Sequence, residues 1–260
     1  MSERVINTKE HANGIFEIKF NRPKSLNALS AEFLEQLYET LIAARASYSI
    51  KAILLIGEGK AFCAGSDIHQ LESLNGQSGA AFARHGQRIF DVLEKLGKPS
   101  LAAIHGFALG GGLELAMAAT MRIAAKDTSF GQPEVKLGVI PGFGGTQRLA
   151  RIIGKARALE LCLTGNLIKS DIASSWGLVS QVVENESLYD VAIAKLSEIV
   201  KLPGSALSSI MTTINDGYNL SMQEALELEA SHFGLCCTTR DKSEGVRAFL
   251  EKREASFVGE

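Results

Sequence analysis

The sequence predicts an α/β fold that ends in an all-helical tail. Three observations carry this expectation. Short apolar runs of strand length, at residues 51–56 (KAILLI) and 101–104, alternate with helical stretches. Strand signals stop near Ser187, and helical periodicity then runs through Phe249. With 260 residues, 46% of them hydrophobic and 22% charged, the chain fills one large core plus an appendage and is not disordered.

In chain order, residues 15–20 alternate, with Phe16, Ile18 and Phe20 on one face and Glu17 and Lys19 on the other, as in a half-buried strand. An irregular loop, NRPKSLNAL, follows. Ser30 then stands as N-cap to a helix whose stripe is Phe33, Leu34, Leu37, Tyr38, Leu41 and Ile42. The buried strand at 51–56 leads into the loop GEGKAFCAGSDI and a polar, glycine-containing segment reaching Gly79, whose run from Ser73 is a candidate for mobility. A helix carrying Phe82, Ile89, Phe90, Leu93 and Leu96 comes next, then the strand at 101–104.

Beyond residue 119 a strand is expected at 122–125. The long loop DTSFGQPEVKLGVIPGFGGTQ holds too many apolar residues to be disordered, and long ordered loops are usually functional. Helices at 146–153 and 156–163, a short helix near 171–176 and a strand at 179–183 complete the mixed part. We divide the chain into a core, 1–195, holding the site, and a helical C-terminal region, 196–260.

The bulk properties bound the partners. A net charge of −2 gives no global attraction to nucleic acid or to an anionic membrane. Basic residues near 240–253 read either as a solvated helix face or as a small phosphate patch. The four cysteines, Cys63, Cys162, Cys236 and Cys237, have no metal-ligand spacing, and the vicinal pair reads as reduced thiols. The first ten residues have no signal-peptide or transit-peptide character, and no run approaches a membrane span. A cytoplasmic location is expected.

The chemistry centres on residues 105–119, HGFALGGGLELAMAA. Three glycines in a row, Gly110 to Gly112, cost backbone entropy, and Glu114 enters a helix apolar enough to be buried. The stretch bares backbone for a ligand and sets an acid or base beside it. A second glycine-bearing loop, 61–68 (AFCAGSDI), also follows a short apolar strand. Two loops at like ends of neighbouring strands can each aim one N–H at a common oxygen, forming an oxyanion hole. The same loops also read as ordinary tight turns. Glu114 and Glu134 read as a carboxyl pair whose burial and repulsion divide acid and base roles. Equally, Glu114 can be a first-turn glutamate answering the helix dipole, and Glu134 a surface loop residue. There is no GK[ST] phosphate loop, no GxGxxG, no GxSxG elbow and no metal-spaced histidine pair. His105 reads as a packed or hydrogen-bonded histidine.

Six segments in order resemble the crotonase (enoyl-CoA hydratase/isomerase) superfamily over essentially the whole chain. They are NRPKSLNAL at 21–29, GKAFCAGSDI at 59–68, HGFALGGGLELAMA at 105–118, FGQPEVKLGVIPGFGGTQRLARIIG at 130–154, LTGNLIKSDIASSWGLVSQVV at 163–183 and DKSEGVRAFLEKREASF at 241–257. The resemblance implies a crotonase-like spiral of repeated ββα units with a C-terminal helical trimerisation region, a homotrimer or a hexamer of two trimers, and acyl-CoA thioester substrates.

By motif position, the oxyanion-hole N–H groups fall on Ser66 and Gly111. Only backbone donates, so a serine where the family often has alanine leaves the hole intact. Lys24 and the loop of Ala64, Asp67 and Ile68 fall where the family binds CoA, and His69 stands where lysine is common. The hydratase carboxylates fall on Glu114 and Glu134. Many isomerases keep only one of the two, and the related dehalogenases use a His and an Asp, which residues 138–141 lack. The resemblance therefore implies an enoyl-CoA hydratase, of fatty acid β-oxidation or of amino-acid or another degradation. It needs no metal or redox cofactor, CoA being part of the substrate. An isomerase or a specialised dehydratase is the alternative on the same scaffold, and neither nucleic acid nor membrane is an expected partner.

Overall fold

The computed structural model describes residues 4–259. Strands β1 (Ile6–Glu10), β2 (Ile15–Phe20), β3 (Ala52–Gly57), β4 (Ser100–Ile104), β6 (Met121–Ala125) and β9 (Gln181–Val183) form one sheet in that order. All pairs are parallel except β1 with β2. Strands β5 (Phe107–Leu109), β7 (Ser129–Gly131) and β8 (Leu167–Lys169) form a second, small sheet.

Four successive stretches of chain repeat one plan: a strand in the large sheet, a short extended piece beside the small sheet, then a helix. β2 is followed by Leu29, which bridges Ser66, and by α1 (Ala31–Ala46). β3 is followed by Cys63, which bridges Ala108, and by α2 (Ile68–Glu72) and α3 (Gly76–Glu94). β4 leads to β5 and α4 (Gly111–Ala118), and β6 leads to β7, α5 (Gly145–Ile153) and α6 (Lys155–Thr164). This is a spiral of ββα units, with the second strand reduced to single bridges in the first two turns.

Both faces of the large sheet are buried, as a parallel sheet requires. In β3, Ile53 and Leu55 join the main core with Phe20, Phe33 and Phe62. Leu54 and Ile56 face the other way, onto Leu188, Ala192 and Leu196. Those three belong to α8 (Leu188–Ile199), which follows the short α7 (Ser170–Ser175). The division placed after residue 195 thus runs through α8, whose buried side completes the core. The remaining helices, α9 (Gly204–Gly217), α10 (Met222–Cys237) and α11 (Arg240–Glu251), bury only Asp241 and Ala248 between them.

Several local expectations change. Ser30 caps α1 as expected, its side chain accepting from Phe33 N at 3.1 Å, but Tyr38 and Ile42 lie on the exposed side, 40% and 37% accessible. The polar run before Gly79 enters a helix earlier than the sequence suggests. Asn75 forms a capping box with Ser78 and starts α3 at Gly76. In the long loop Phe130 and Phe143 are buried, whereas Leu137, Val139 and Ile140 are exposed. His105 is hydrogen-bonded, its Nε2 3.1 Å from Gly59 O.

Candidate active site

The two glycine-bearing loops are stitched together by main-chain bonds. Phe62 N donates to His105 O (2.9 Å), Cys63 N to Phe107 O (3.0 Å) and Leu109 N to Cys63 O (3.1 Å). Leu29 completes the ribbon, donating to Gly65 O at 2.8 Å and accepting from Asp67 N at 3.0 Å. These bonds bracket Ser66 and leave its own N–H unused. Gly111 opens α4, where the first N–H groups have no intrahelical acceptor. Neither N–H donates to a protein acceptor among the described residues. The two positions are adjacent, since a Cβ placed on Gly111 would lie 3.0 Å from Ser66 Oγ.

The three consecutive glycines answer three different demands. Gly110 has φ +48° and ψ −126°, a conformation side-chain-bearing residues avoid, and a Cβ there would lie 2.7 Å from Glu134 Oε1. Gly111 leaves room for Ser66 and Leu29. Gly112 packs directly on the Cys63 backbone, where a Cβ would come within 2.7 Å of the carbonyl carbon.

Glu114 sits in the first turn of α4 and is 1% exposed. Its Oε1 accepts from Phe143 N at 2.7 Å and from Gly145 N at 2.6 Å. Gly145 opens α5, so the carboxylate also meets the positive end of a second helix. Burial, and then the charge of Glu134, push the Glu114 carboxyl up to about 8, against the pull of these two N–H groups and of Arg148. Glu134 lies on a 3-10 turn, Pro133–Leu137, and burial pushes it up to about 7. Both carboxyl groups are thus raised toward neutrality, and their protons belong to the pair rather than to either residue alone.

Both carboxyl groups, Ser66 and Gly111 line one cavity of about 940 Å³. Ala64 and Ile68 line it as well. Lys24 and Asp67 do not: Lys24 lies on an exposed 3-10 turn, and Asp67 caps α2 while pairing with Arg22 at 3.2 Å. The walls are largely apolar, with Leu71, Leu74 and Phe82 from α2, α3 and their link, and the exposed Leu137, Val139 and Ile140 at the lip. The sequence reading missed Gln132. It is fully buried, and its side-chain amide, with the nitrogen turned to Glu134, donates to both carboxyl oxygens at 3.0 and 3.1 Å. A lone glutamine before a proline carries no sequence signal for such a role.

The raised Glu114 value makes stability depend on pH. Between the ordinary glutamate range and about 8 the folded state binds more protons than the unfolded state, so stability falls as pH rises through that window. Glu114→Gln, which fixes the neutral form, is expected to unfold at a higher temperature than the parent at pH 8, by a few kcal/mol of stability. The gap should close towards pH 4.5, the carboxyl's ordinary value. Thermal melts across that range check this, and parallel pH curves for both proteins would contradict it.

Two unused N–H groups beside two carboxyl groups raised toward neutrality, in an apolar cavity, define an acid–base enzyme acting next to a carbonyl group. Comparison with known proteins agrees. The family model for enoyl-CoA hydratase/isomerase matches residues 10–260. A crotonyl-CoA hydratase of Syntrophomonas wolfei is 40% identical over 264 residues, covering 98% of each chain. A short-chain-enoyl-CoA hydratase of Clostridium acetobutylicum is 41% identical over 238 residues, 91% of each chain. The crystal structure of an enoyl-CoA hydratase from Bacillus anthracis superposes with a TM-score of 0.94 at 35% identity, covering 99% of this chain and 100% of that one. The chain belongs to the enoyl-CoA hydratase/isomerase family, of the crotonase superfamily.

Proposed function

We propose that the protein adds water across the double bond of a 2-trans-enoyl-CoA to give a 3-hydroxyacyl-CoA. The observation that carries this reading is the meeting of Glu114 and Glu134 at one cavity, beside the free N–H groups of Ser66 and Gly111. The thioester oxygen accepts from both N–H groups, which draws electron density from the conjugated alkene and stabilises the enolate that forms. One water lies between the carboxyl groups. In the form of the pair whose single proton lies on Glu134, Glu114, whose Oε1 is held by two N–H donors, takes a proton from the water as its oxygen bonds to C3. Glu134 gives its proton to C2. The pair ends with one proton, as it began, the charge having moved from Glu114 to Glu134. Fixing water and alkene together replaces an encounter in bulk solvent, a large entropic gain. No metal or redox group takes part in this scheme.

The relatives named for crotonyl-CoA and short-chain substrates favour a short acyl group, and a place in fatty acid β-oxidation is the proposal that goes with it. The expected result is rapid loss of the conjugated chromophore of crotonyl-CoA, fastest within a panel of acyl-CoA esters. Turnover of 3-enoyl-CoA alone would instead give the isomerase reading. Ala64 and Ile68 face the CoA moiety in this scheme, and its phosphates are assigned to Lys24, on the exposed 3-10 turn next to Leu26, whose carbonyl accepts from Ala64 N. Asp67 contributes through Arg22 by holding the loop.

Helices α9 to α11 expose large apolar side chains, among them Ile214 (62%), Phe233 (72%) and Phe249 (84%), as a surface awaiting other copies does. Assembly as a trimer, or a hexamer of two trimers, is the matching proposal. Light scattering should give three or six chains per particle, and a stable monomer would overturn it. All four cysteines are free thiols, which suits the reducing cytoplasm.

A further inference from the structure

Helix α3 carries a glycine, Gly86, in its buried interior, where glycine is the poorest helix former after proline. The reason lies across the cavity wall. Phe82, Gly86 and Phe90 stand four residues apart on one face, so the glycine is a notch between two rings. The Phe143 ring fills that notch, 5.0 Å from the Phe82 ring and 5.5 Å from that of Phe90. A Cβ on Gly86 would come within 2.7 Å of Phe143 Cγ, and closer still to the ring edge.

The adjacent face of α3 grips the same turn with polar groups. Gln87 Nε2 donates to Gly142 O at 2.8 Å. The Arg148 guanidinium donates to Phe143 O at 3.0 Å while bonding Asp91 at 2.8 Å and Glu94 at 2.7 Å. The gripped turn is the one that aims Phe143 N and Gly145 N at Glu114 Oε1.

We propose that α3 is the mount of the Glu114 carboxylate, with Gly86 and Arg148 as positioning residues that act through the Phe143–Gly145 turn. This rests on the hydratase reading and extends it: one helix walls the acyl cavity and also sets where the base stands. The groups facing Glu114 are Glu134 from its 3-10 turn, Arg148 from α5 and the Cys162 thiol from α6. Displacing the ring leaves Glu134 and Cys162 in place, and Arg148 keeps its bonds to Asp91 and Glu94 while its bond to Phe143 O loosens with the two N–H bonds. The two N–H bonds favour the ionised carboxyl, so their loss moves its titration to higher pH.

The test compares Gly86→Ala, Phe143→Leu and the double variant with the parent on crotonyl-CoA. Gly86→Ala should lower kcat at least tenfold, change KM less than threefold, and move the acidic limb of the kcat–pH profile upward by about one unit. In the double variant the smaller side chain admits the new methyl, and kcat should recover at least threefold over Gly86→Ala. Phe143→Leu, which empties the notch, should move the limb in the same direction. That keeps the proposal testable if Gly86→Ala does not fold. An unmoved limb in every folded variant, or a double variant no better than Gly86→Ala, overturns the mount. A parent that does not hydrate crotonyl-CoA overturns the hydratase reading instead. The inference then still stands or falls on carbon-13 NMR titration of the Glu114 carboxyl in the parent and the variants.

Discussion

Glu114→Gln and Glu134→Gln are each expected to lower kcat for hydration of crotonyl-CoA by about 10²–10⁴, the usual worth of a positioned acid or base. The glutamine keeps the shape and the carbonyl oxygen that accepts from Phe143 N and Gly145 N. It cannot take the water proton. At position 134 it can still be held by Gln132 but has no acidic proton to deliver. The two losses should not multiply in the double variant, because the carboxyl groups act on one water as a unit. Steady-state assays on the purified variants decide the matter, and near-normal hydration by either single variant would sink the assignment.

Gly112→Ala should be nearly as damaging without touching a reacting group. Its new methyl would lie 2.7 Å from the Cys63 carbonyl carbon and 2.8 Å from the Cys63 Cβ. Cys63 cannot yield, because its N–H and carbonyl are bonded to Phe107 and Leu109 at 3.0 and 3.1 Å. Helix α4 must therefore move, and Gly111 moves with it, away from Ser66. The expected loss in kcat/KM is about 10²–10³, as for removal of one oxyanion donor, with a lower melting temperature. A folded variant with the parent's kcat/KM would show that this contact does not set the donor spacing.

Strands long enough to show a period were legible in the sequence. β2 alternates, and β3 and β4 are continuous apolar runs with both faces covered. β1 was not, because its INTKE segment buries only its first residue and carries no pattern. β5, β7 and β8 are three residues each, shorter than any period can establish. The start of α3 was hidden by polar and glycine residues, although its Asn75 cap is an ordinary one. At the site, Ser66, Gly111, Glu114 and Glu134 could be placed from their motifs and meet at one cavity. Gly86 and Arg148 could not, since each acts through partners distant in sequence that only the folded chain brings near, and Gln132 could not because nothing in the chain marks its amide as turned to Glu134.

The stitched loops divide what substitution can change from what it cannot. The spacing of the Ser66 and Gly111 donors is inherited from the parallel β3–β4 pairing and its continuation at Cys63 and Ala108. It is written in main chain, so side chains that do not press on the stitched backbone, as a methyl at Gly112 would, can be exchanged without shifting it. The lip at Leu137, Val139 and Ile140 can thus be recut for another acyl group while the reacting distances stay fixed. The wall contributed by α3 has no such licence: widening the cavity at Phe82 would also loosen the seat of Phe143. A search for altered substrate range would do best to vary the lip and leave α3 alone.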